Sequence, residues 1–263
     1  MFMFISSLSQ LTNSTFSLEA YRAGRPLIVG GLADFPPFNY VDLKTGNLTG
    51  LDRDIITTLT SRLQINTVNF LTFKTFADLD DALVSGKIDL IANNLWIIPR
   101  RSELFSFTIP YYLKGGIASM WLKSRDGPFN TTESLTGARV ATFEGGSYIQ
   151  TYSRNVLPSE LIIVNSSASF IPLLISGKVD AAIGYFTQQR VELTKFDNVD
   201  IENALLKPEK AAFAMRHNSF LLDEFDLELA QMWKDGALFQ IKSKYLRPLG
   251  IEPALEFEEL SQH

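Results

Sequence analysis

Three short stretches carry residue types able to hold or transform a small molecule. The first is "NNLWIIPRR" (Asn93 to Arg101), which follows an apolar run and ends in two arginines. A guanidinium presents paired donors that match a carboxylate in bidentate fashion. Residue type alone does not separate Arg100 from Arg101, and either could instead be an exposed arginine paired with Glu103. The second is "LADFPPFNY" (Leu32 to Tyr40), where Pro36 and Pro37 stiffen the backbone around Phe35 and Phe38. Phe35 then reads either as a rigid stacking surface for a ligand or as core. The third is "EGGSY" (Glu144 to Tyr148). Gly145 and Gly146 permit close approach of the backbone, and the helix start that follows favours an anion, with Ser147 as cap, anion ligand or both. A plain turn is the alternative.

Other chemistries are excluded by what the chain lacks. It has 263 residues, no cysteine and two histidines, His217 and the terminal His263. Thiolate nucleophiles, disulfides and Cys-based metal sites are therefore impossible, and zinc has no histidine spacing to use. No metal or cofactor is expected. A Ser-His-Asp triad would need His217, which has no nucleophile elbow nearby. Glu144 is the one acid expected at a strand end, as a general acid or base or simply as an exposed loop residue. The net charge of −5, without a basic stripe, excludes nucleic acid as a partner. With 46% hydrophobic and 20% charged residues the chain reads as globular. Its opening "MFMFISSLSQLTNSTF" is apolar but short and lacks a basic residue before Arg22. It makes a poor secretory signal and is too short to span a membrane, so a signal upstream or a truncated start is expected.

The elements that position these stretches are announced by an internal repeat. "ALVSGKIDLIANN" (Ala82 to Asn94) and "LLISGKVDAAIGY" (Leu173 to Tyr185) each run from a helix-like stretch through Ser-Gly-Lys to an Asp and an apolar run. Each reads as a helix closed by a left-handed glycine, Gly86 or Gly177, followed by a buried strand, Ile88 to Ala92 or Val179 to Ile183. Upstream of the first repeat lie a strand at Arg25 to Gly31, an amphipathic helix at Asp52 to Leu63, a strand at Asn66 to Phe73 and a helix at Phe76 to Ser85 capped by Thr75. The second half repeats the rhythm, with strands at Arg139 to Phe143 and Leu161 to Val164 and helices at about Ser147 to Asn155 and Ala168 to Ser176. This predicts an α/β chain of two lobes with mostly parallel sheets; one larger doubly wound sheet, with the two strings coincidental, is the alternative. Open α/β sheets bind ligands at the carboxyl ends of their strands, and all three stretches follow strands there.

The chain resembles the bacterial extracellular solute-binding proteins of family 3, the periplasmic amino-acid-binding components of ABC importers. The resemblance covers about Pro26 to Leu246. It rests on "ADFPPFNY", "GNLTGLDRDI", "ALVSGKIDLIANN", the Pro-x-Arg at Pro99 to Arg101, "FSFTIPYY", "SLTGARVATFEGGS", "SGKVDAAIGY" and "KDGALFQIKSKYL". It implies a two-lobed periplasmic-binding-protein-like fold with two hinge strands. Lobe 1 would be 25–112 plus 213–246, lobe 2 would be 116–208, and 1–24 and 247–263 would be terminal extensions. It further implies a monomer that is not an enzyme, located in the periplasm or otherwise outside the cytoplasm at the membrane, passing a small solute to an ABC permease.

The resemblance also implies roles. Arg101 becomes the clamp on the ligand carboxylate, leaving Arg100 solvated. Gly145, Gly146 and Ser147 add donors to the same carboxylate, and Phe35 and Phe76 become the stacking aromatics. Asn93, Asn94, Trp96 and Tyr185 fall at further ligand positions. Three departures bear on the ligand. Trp96 stands where the family usually has Ser or Thr, Asn93 and Asn94 replace a small pair, and Tyr185 replaces the acid that holds the ligand ammonium. Leu32 occupies the place of the acid that contacts basic side chains. The expected ligand is therefore a carboxylate, an amino acid or a relative that is aromatic or lacks the α-ammonium. A cyclohexadienyl-dehydratase-like enzyme and a ligand-sensing module are the alternatives.

Overall fold

The computed structural model describes residues 17–254, apart from Asp126, Gly145, Gly146 and Asp197. The described chain divides into two compact units, one made of 17–111, 211–244 and 253–254, the other of 112–210 and 245–252.

The first stretch of the first unit holds α1 (Leu18–Arg22), β1 (Leu27–Leu32), β2 (Asp34–Phe35), β3 (Asn39–Val41), β4 (Leu48–Thr49), α2 (Leu51–Arg62), β5 (Val68–Phe73), α3 (Phe76–Val84), β6 (Leu90–Trp96), α4 (Pro99–Ser102) and β7 (Ser106–Phe107). The second unit follows with β8 (Tyr112–Leu122), β9 (Arg139–Phe143), α5 (Ser147–Asn155), β10 (Glu160–Val164), α6 (Phe170–Ile175), β11 (Ala181–Tyr185) and α7 (Phe186–Leu193). The strand β12 (Ile201–Met215) then carries the chain back, and α8 (Leu222–Lys234) and α9 (Ala237–Leu246) follow.

In the first unit β1 lies between β5 and β6, parallel to both, with Leu27 opposite Val68 and Val29 opposite Leu90. The last residues of β12 pair antiparallel to β6, Ala211 opposite Trp96, and β7 adds to β12. The strands β2, β3 and β4 make a separate small antiparallel sheet. The apolar stripe of α2 (Ile55, Ile56 and Leu59) is fully buried. Burying each such side chain stabilises the fold by about 1.5–3 kcal/mol. In the second unit β9 lies between β10 and β11, parallel to both, and β8 pairs antiparallel to β11. Phe170, Ile171 and Leu174 of α6 pack there against Met120, Val179 and Ala182.

The repeat has one structural meaning in both units. Gly86 and Gly177 take positive φ values of 76° and 71° and end their helices. Asp89 Oδ2 then accepts the amide of Ile28 at 3.0 Å, and Asp180 Oδ2 accepts the amide of Arg139 at 2.8 Å. Each aspartate thus fastens the amino end of the neighbouring strand. Arg139 closes on Asp180 with side-chain contacts of 2.5 and 3.1 Å. Thr75 caps α3 as expected, in a reciprocal capping box with Asp78.

Several expected boundaries shift by about two residues, β1 beginning at Leu27, β5 at Val68 and β11 spanning Ala181–Tyr185, and two shifts bear on the site and the repeat. The strand after the first repeat does not stop at Ala92 but continues, buried at every position, to Trp96. The helix expected from Ala168 begins as a 3₁₀ turn over 167–169 and becomes α-helical at Phe170, with Pro172 in its first turn. The motif around "GNLTGLDRDI" turns on Gly50. Its φ is 137°, and a Cβ there would sit 2.0 Å from the carbonyl oxygen of Phe38. The close approach lets Leu51 and Asp52, at the start of α2, donate their amides to Pro37 and Phe38 at 2.9 and 3.1 Å. Replacing Gly50 with Ala should cost about 1–3 kcal/mol through the backbone alone, with the clash adding to it. Urea unfolding of the variant against the parent measures the loss.

Candidate functional site

The carboxyl ends of β1 and β6 are tied together by buried asparagines. Asn93, with no exposed surface, accepts the Leu32 amide at 2.8 Å and a contact of 3.2 Å from Asn39. Asn39 also donates to the Ala92 carbonyl at 2.5 Å. These bonds fix the 33–38 segment, and with it Phe35 and Phe38. Phe35 is 7% exposed and meets the edge of Phe76 at 5.5 Å between ring centres. It is largely core, but Phe76, at the start of α3, remains half-buried.

Arg101 lies beside that pair. Pro99 opens the short turn of α4, and its geometry leaves Arg100 exposed and Arg101 half-buried. The Arg101 guanidinium stands 5.2 Å from the centre of the Phe76 ring, and its Nε lies 3.7 Å from Asp80 Oδ2. Phe76 and Asp80 are four residues apart on α3 and share a face. The arginine is thus positioned by an aromatic ring and a carboxylate together, and its partner is Asp80 where Glu103 was the alternative. At 3.7 Å the pair is an ion pair and too long for a strong hydrogen bond. Among the described residues no hydrogen bond engages the Arg101 Nη atoms. Burial pushes the Asp80 carboxyl up, opposed by Arg101 and Arg100. Asp80 Oδ1 is enclosed without a hydrogen-bond partner.

Asn94 and Trp96 are placed by the continuation of β6. Asn94 has φ 47°, is 4% exposed and sends its amide to Asp52 Oδ2 at 2.6 Å. Trp96 is 4% exposed and faces Ala211 across the ladder. The structure therefore places Trp96 in a strand, four residues beyond the expected end at Ala92. In the second unit Tyr185 ends β11, and its ring lies 5.2 Å from that of Phe143 at the end of β9. Glu144 is exposed. Gly145 and Gly146 lie outside the described residues, and α5 begins at Ser147. The next residue, Tyr148, donates its hydroxyl to Glu209 Oε1 at 2.6 Å. Lys207 Nζ contacts the same hydroxyl and lies 2.9 Å from Glu209 Oε1.

Sequence reasoning missed three groups: Asp52, Asp80 and the Tyr148–Lys207–Glu209 cluster. The first two left a signal, since Asp52 falls on the apolar stripe of its helix and Asp80 lies one turn after Phe76. His217 contacts the Ser106 hydroxyl at 3.1 Å, but its other nitrogen faces the Glu103 carbonyl, so no carboxylate completes a triad. Among the described residues no three His, Asp or Glu side chains converge as metal ligands. No described helix is long and apolar enough to cross a membrane.

Asp52 has a measurable signature. Full burial pushes its carboxyl from the ordinary 3.8 up to about 7, only partly offset by the Tyr111 hydroxyl and the Asn94 amide. A carboxyl raised on folding holds its proton more tightly in the folded chain. Its contribution to stability is complete below pH 4 and is lost as the pH rises to about 7. The loss amounts to about 4 kcal/mol. Urea unfolding of D52N and the parent between pH 4 and 8 should show the parent alone carrying this decline.

Comparison with known proteins agrees with the fold. Residues 27–140 match the family described as bacterial extracellular solute-binding proteins, family 3. The chain is 24% identical over 229 residues to the amino-acid-binding protein AabA of Dichelobacter nodosus, covering 83% of this chain and 87% of that protein. It is 26% identical over 253 residues to a probable amino-acid ABC transporter-binding protein of Haemophilus influenzae, covering 88% and 91%. Among solved structures it is similar to an ancestral arginine-binding protein bound to arginine, with 27% identity, a TM-score of 0.71 and coverage of 84% and 97%.

Proposed function

The chain belongs to the bacterial extracellular solute-binding proteins of family 3, and from that premise we propose that it captures a small carboxylate-bearing solute, an amino acid or close relative. It delivers this solute, as a monomer outside the cytoplasm, to the permease of an ABC importer and does not transform it. The observation that carries the reading is the Arg101 guanidinium, set over Phe76 and beside Asp80 at the carboxyl ends of the first unit's strands. In this reading Arg101 clamps the carboxylate.

The other end of the ligand follows from the departures. Tyr185 offers no carboxylate to an ammonium, while Phe143 beside it offers apolar surface. Leu32 offers nothing to a basic side chain, which disfavours arginine, the ligand of the ancestral structure named above. Asp80 is the acid closest to the clamp, and in this reading it is the group that would meet an α-ammonium. An aromatic or apolar α-amino acid uses Arg101 and Asp80 together, whereas the corresponding keto or des-amino acid uses Arg101 alone.

Thermal-shift and calorimetric screens of amino acids beside their keto and des-amino analogues discriminate these. Arg101→Ala should weaken binding of whichever ligand is found by about 100-fold or more, since charge-assisted bonds contribute about 1.5–3 kcal/mol each. Ligand-induced stabilisation that survives the substitution sinks the clamp. Asp80→Asn should weaken amino acids more than the matching keto acids, which lose only the help Asp80 gives in positioning Arg101. Incubation with prephenate or arogenate should leave either compound intact, and its conversion would establish the enzymatic alternative.

A further inference from the structure

A fully buried carboxyl bonds to the segment that leads to Arg101, and among the described residues no cation pairs with it. Asp52 is in the first turn of α2, with no exposed surface. Its Oδ2 accepts the Asn94 amide at 2.6 Å, and that amide is shared with the Tyr111 hydroxyl at 3.1 Å. Asp52 Oδ1 and Asn94 Oδ1 are both buried without hydrogen-bond partners. Two enclosed acceptor oxygens lack a donor, which is costly in an apolar interior. A proton on Asp52 supplies the donor type that both lack.

Among the described residues the surroundings hold no substitute charge. β6 carries no ionisable residue, and β3 carries only Tyr40. On α2 itself Arg53 lies over the Phe70 ring, 3.9 Å from its centre, and Asp54 is paired with Lys244 at 2.8 Å. From α8, Glu228 reaches Arg62 at the far end of α2. Tyr111 stacks on Phe213 at 4.3 Å. The carboxyl therefore answers to one amide and one hydroxyl. Asn94 bears the left-handed backbone of β6, two residues before Trp96 and seven before Arg101.

We propose that Asp52 is a positioning residue for the clamp, which by gaining or losing one proton resets the bend at Asn94 and with it the 94–101 segment that presents the guanidinium. The protonated form removes the buried charge from Asp52 and holds the bend as described. The ionised form pulls harder on the Asn94 amide and leaves Oδ1 uncompensated, so the segment rearranges to relieve it. The proposal rests on the Arg101 reading only for what the rearrangement does to binding.

The test is therefore read on the ligand-free protein, by nitrogen-15 NMR across pH 5–9. The Asn94 amide, the Trp96 indole N–H and the Arg101 Nε–H should titrate with one common midpoint near neutrality. In D52N that transition should vanish from all three, which separates it from any other ionisation in that range. Tyr111→Phe keeps the carboxyl but removes a bond to it, so the same transition should persist with its midpoint moved upward; this variant carries the test if D52N does not fold. A flat Asn94 amide in the parent overturns the proposal. So does an Asn94 transition that Trp96 and Arg101 do not share. A flat titration leaves the carboxylate clamp standing, and loss of the clamp leaves a shared titration standing.

Discussion

A strand buried on both faces carries polar side chains at a cost that the surrounding structure must offset by supplying partners. β6 is such a strand, enclosed from Leu90 to Trp96, and it contains two adjacent asparagines. Much of the first unit is arranged around the Asn93 side-chain oxygen and the Asn94 backbone amide, while Asn93 Nδ2 and Asn94 Oδ1 stay buried without a hydrogen-bond partner. Asn93 takes the end of β1 and, with Asn39, the segment bearing Phe35. Asn94 takes the start of α2 through Asp52. The helix start in turn needs the carbonyls of Pro37 and Phe38, which only a glycine at position 50 allows so close. The aromatic pair and the arginine segment are thus held by one connected set of buried hydrogen bonds, in which each partner limits where the others can go.

The two units solve the same problem at their other ends with the same five-residue string. The left-handed glycine ends a helix, and the aspartate three residues later catches the amide that begins the neighbouring strand. The elaboration differs. In the second unit Arg139 closes on its aspartate within hydrogen-bond distance. In the first, Arg25 and Arg216 stand 3.7 and 3.5 Å from Asp89. A paired, partly enclosed carboxylate is a means of fixing register, because only one pairing brings it to the amide it must satisfy. That use explains a repeated charged residue at the mouth of an otherwise apolar strand without assigning it any part in binding.

Much of this frame was readable in the sequence. The Ser-Gly-Lys-x-Asp strings gave the helix ends, Thr75 gave a cap, and the apolar spacing at Ile55, Ile56 and Leu59 gave the buried face of α2. The end of β6 was not readable, because paired asparagines disfavour strands unless distant partners hold them. Those partners lie 42 to 61 residues away. The choice of Arg101 over Arg100 came from the family resemblance. The physical basis the structure adds, Asp80 and Phe76 on one face of α3, depends on where the Pro99 turn directs the chain. Asp52 looked like an ordinary acid at a helix start, and only its place on the buried stripe marked it as different.

The strand β12 has a consequence for how the chain is made. Its first ten residues, through Lys210, belong to the second unit, and its last five belong to the first. A chain growing from its amino end therefore holds every strand of the second unit's sheet once Lys210 has emerged. At that moment β6 still lacks its antiparallel partner, and α8 has not been made. The first unit's strands β1, β5 and β6 precede the second unit, yet its sheet is completed last, so the edge of β6, with its backbone groups unpaired, must wait through the synthesis of the inserted stretch 112–210. During that interval the buried asparagines and Asp52 are the polar groups with the most to lose from a wrong partner.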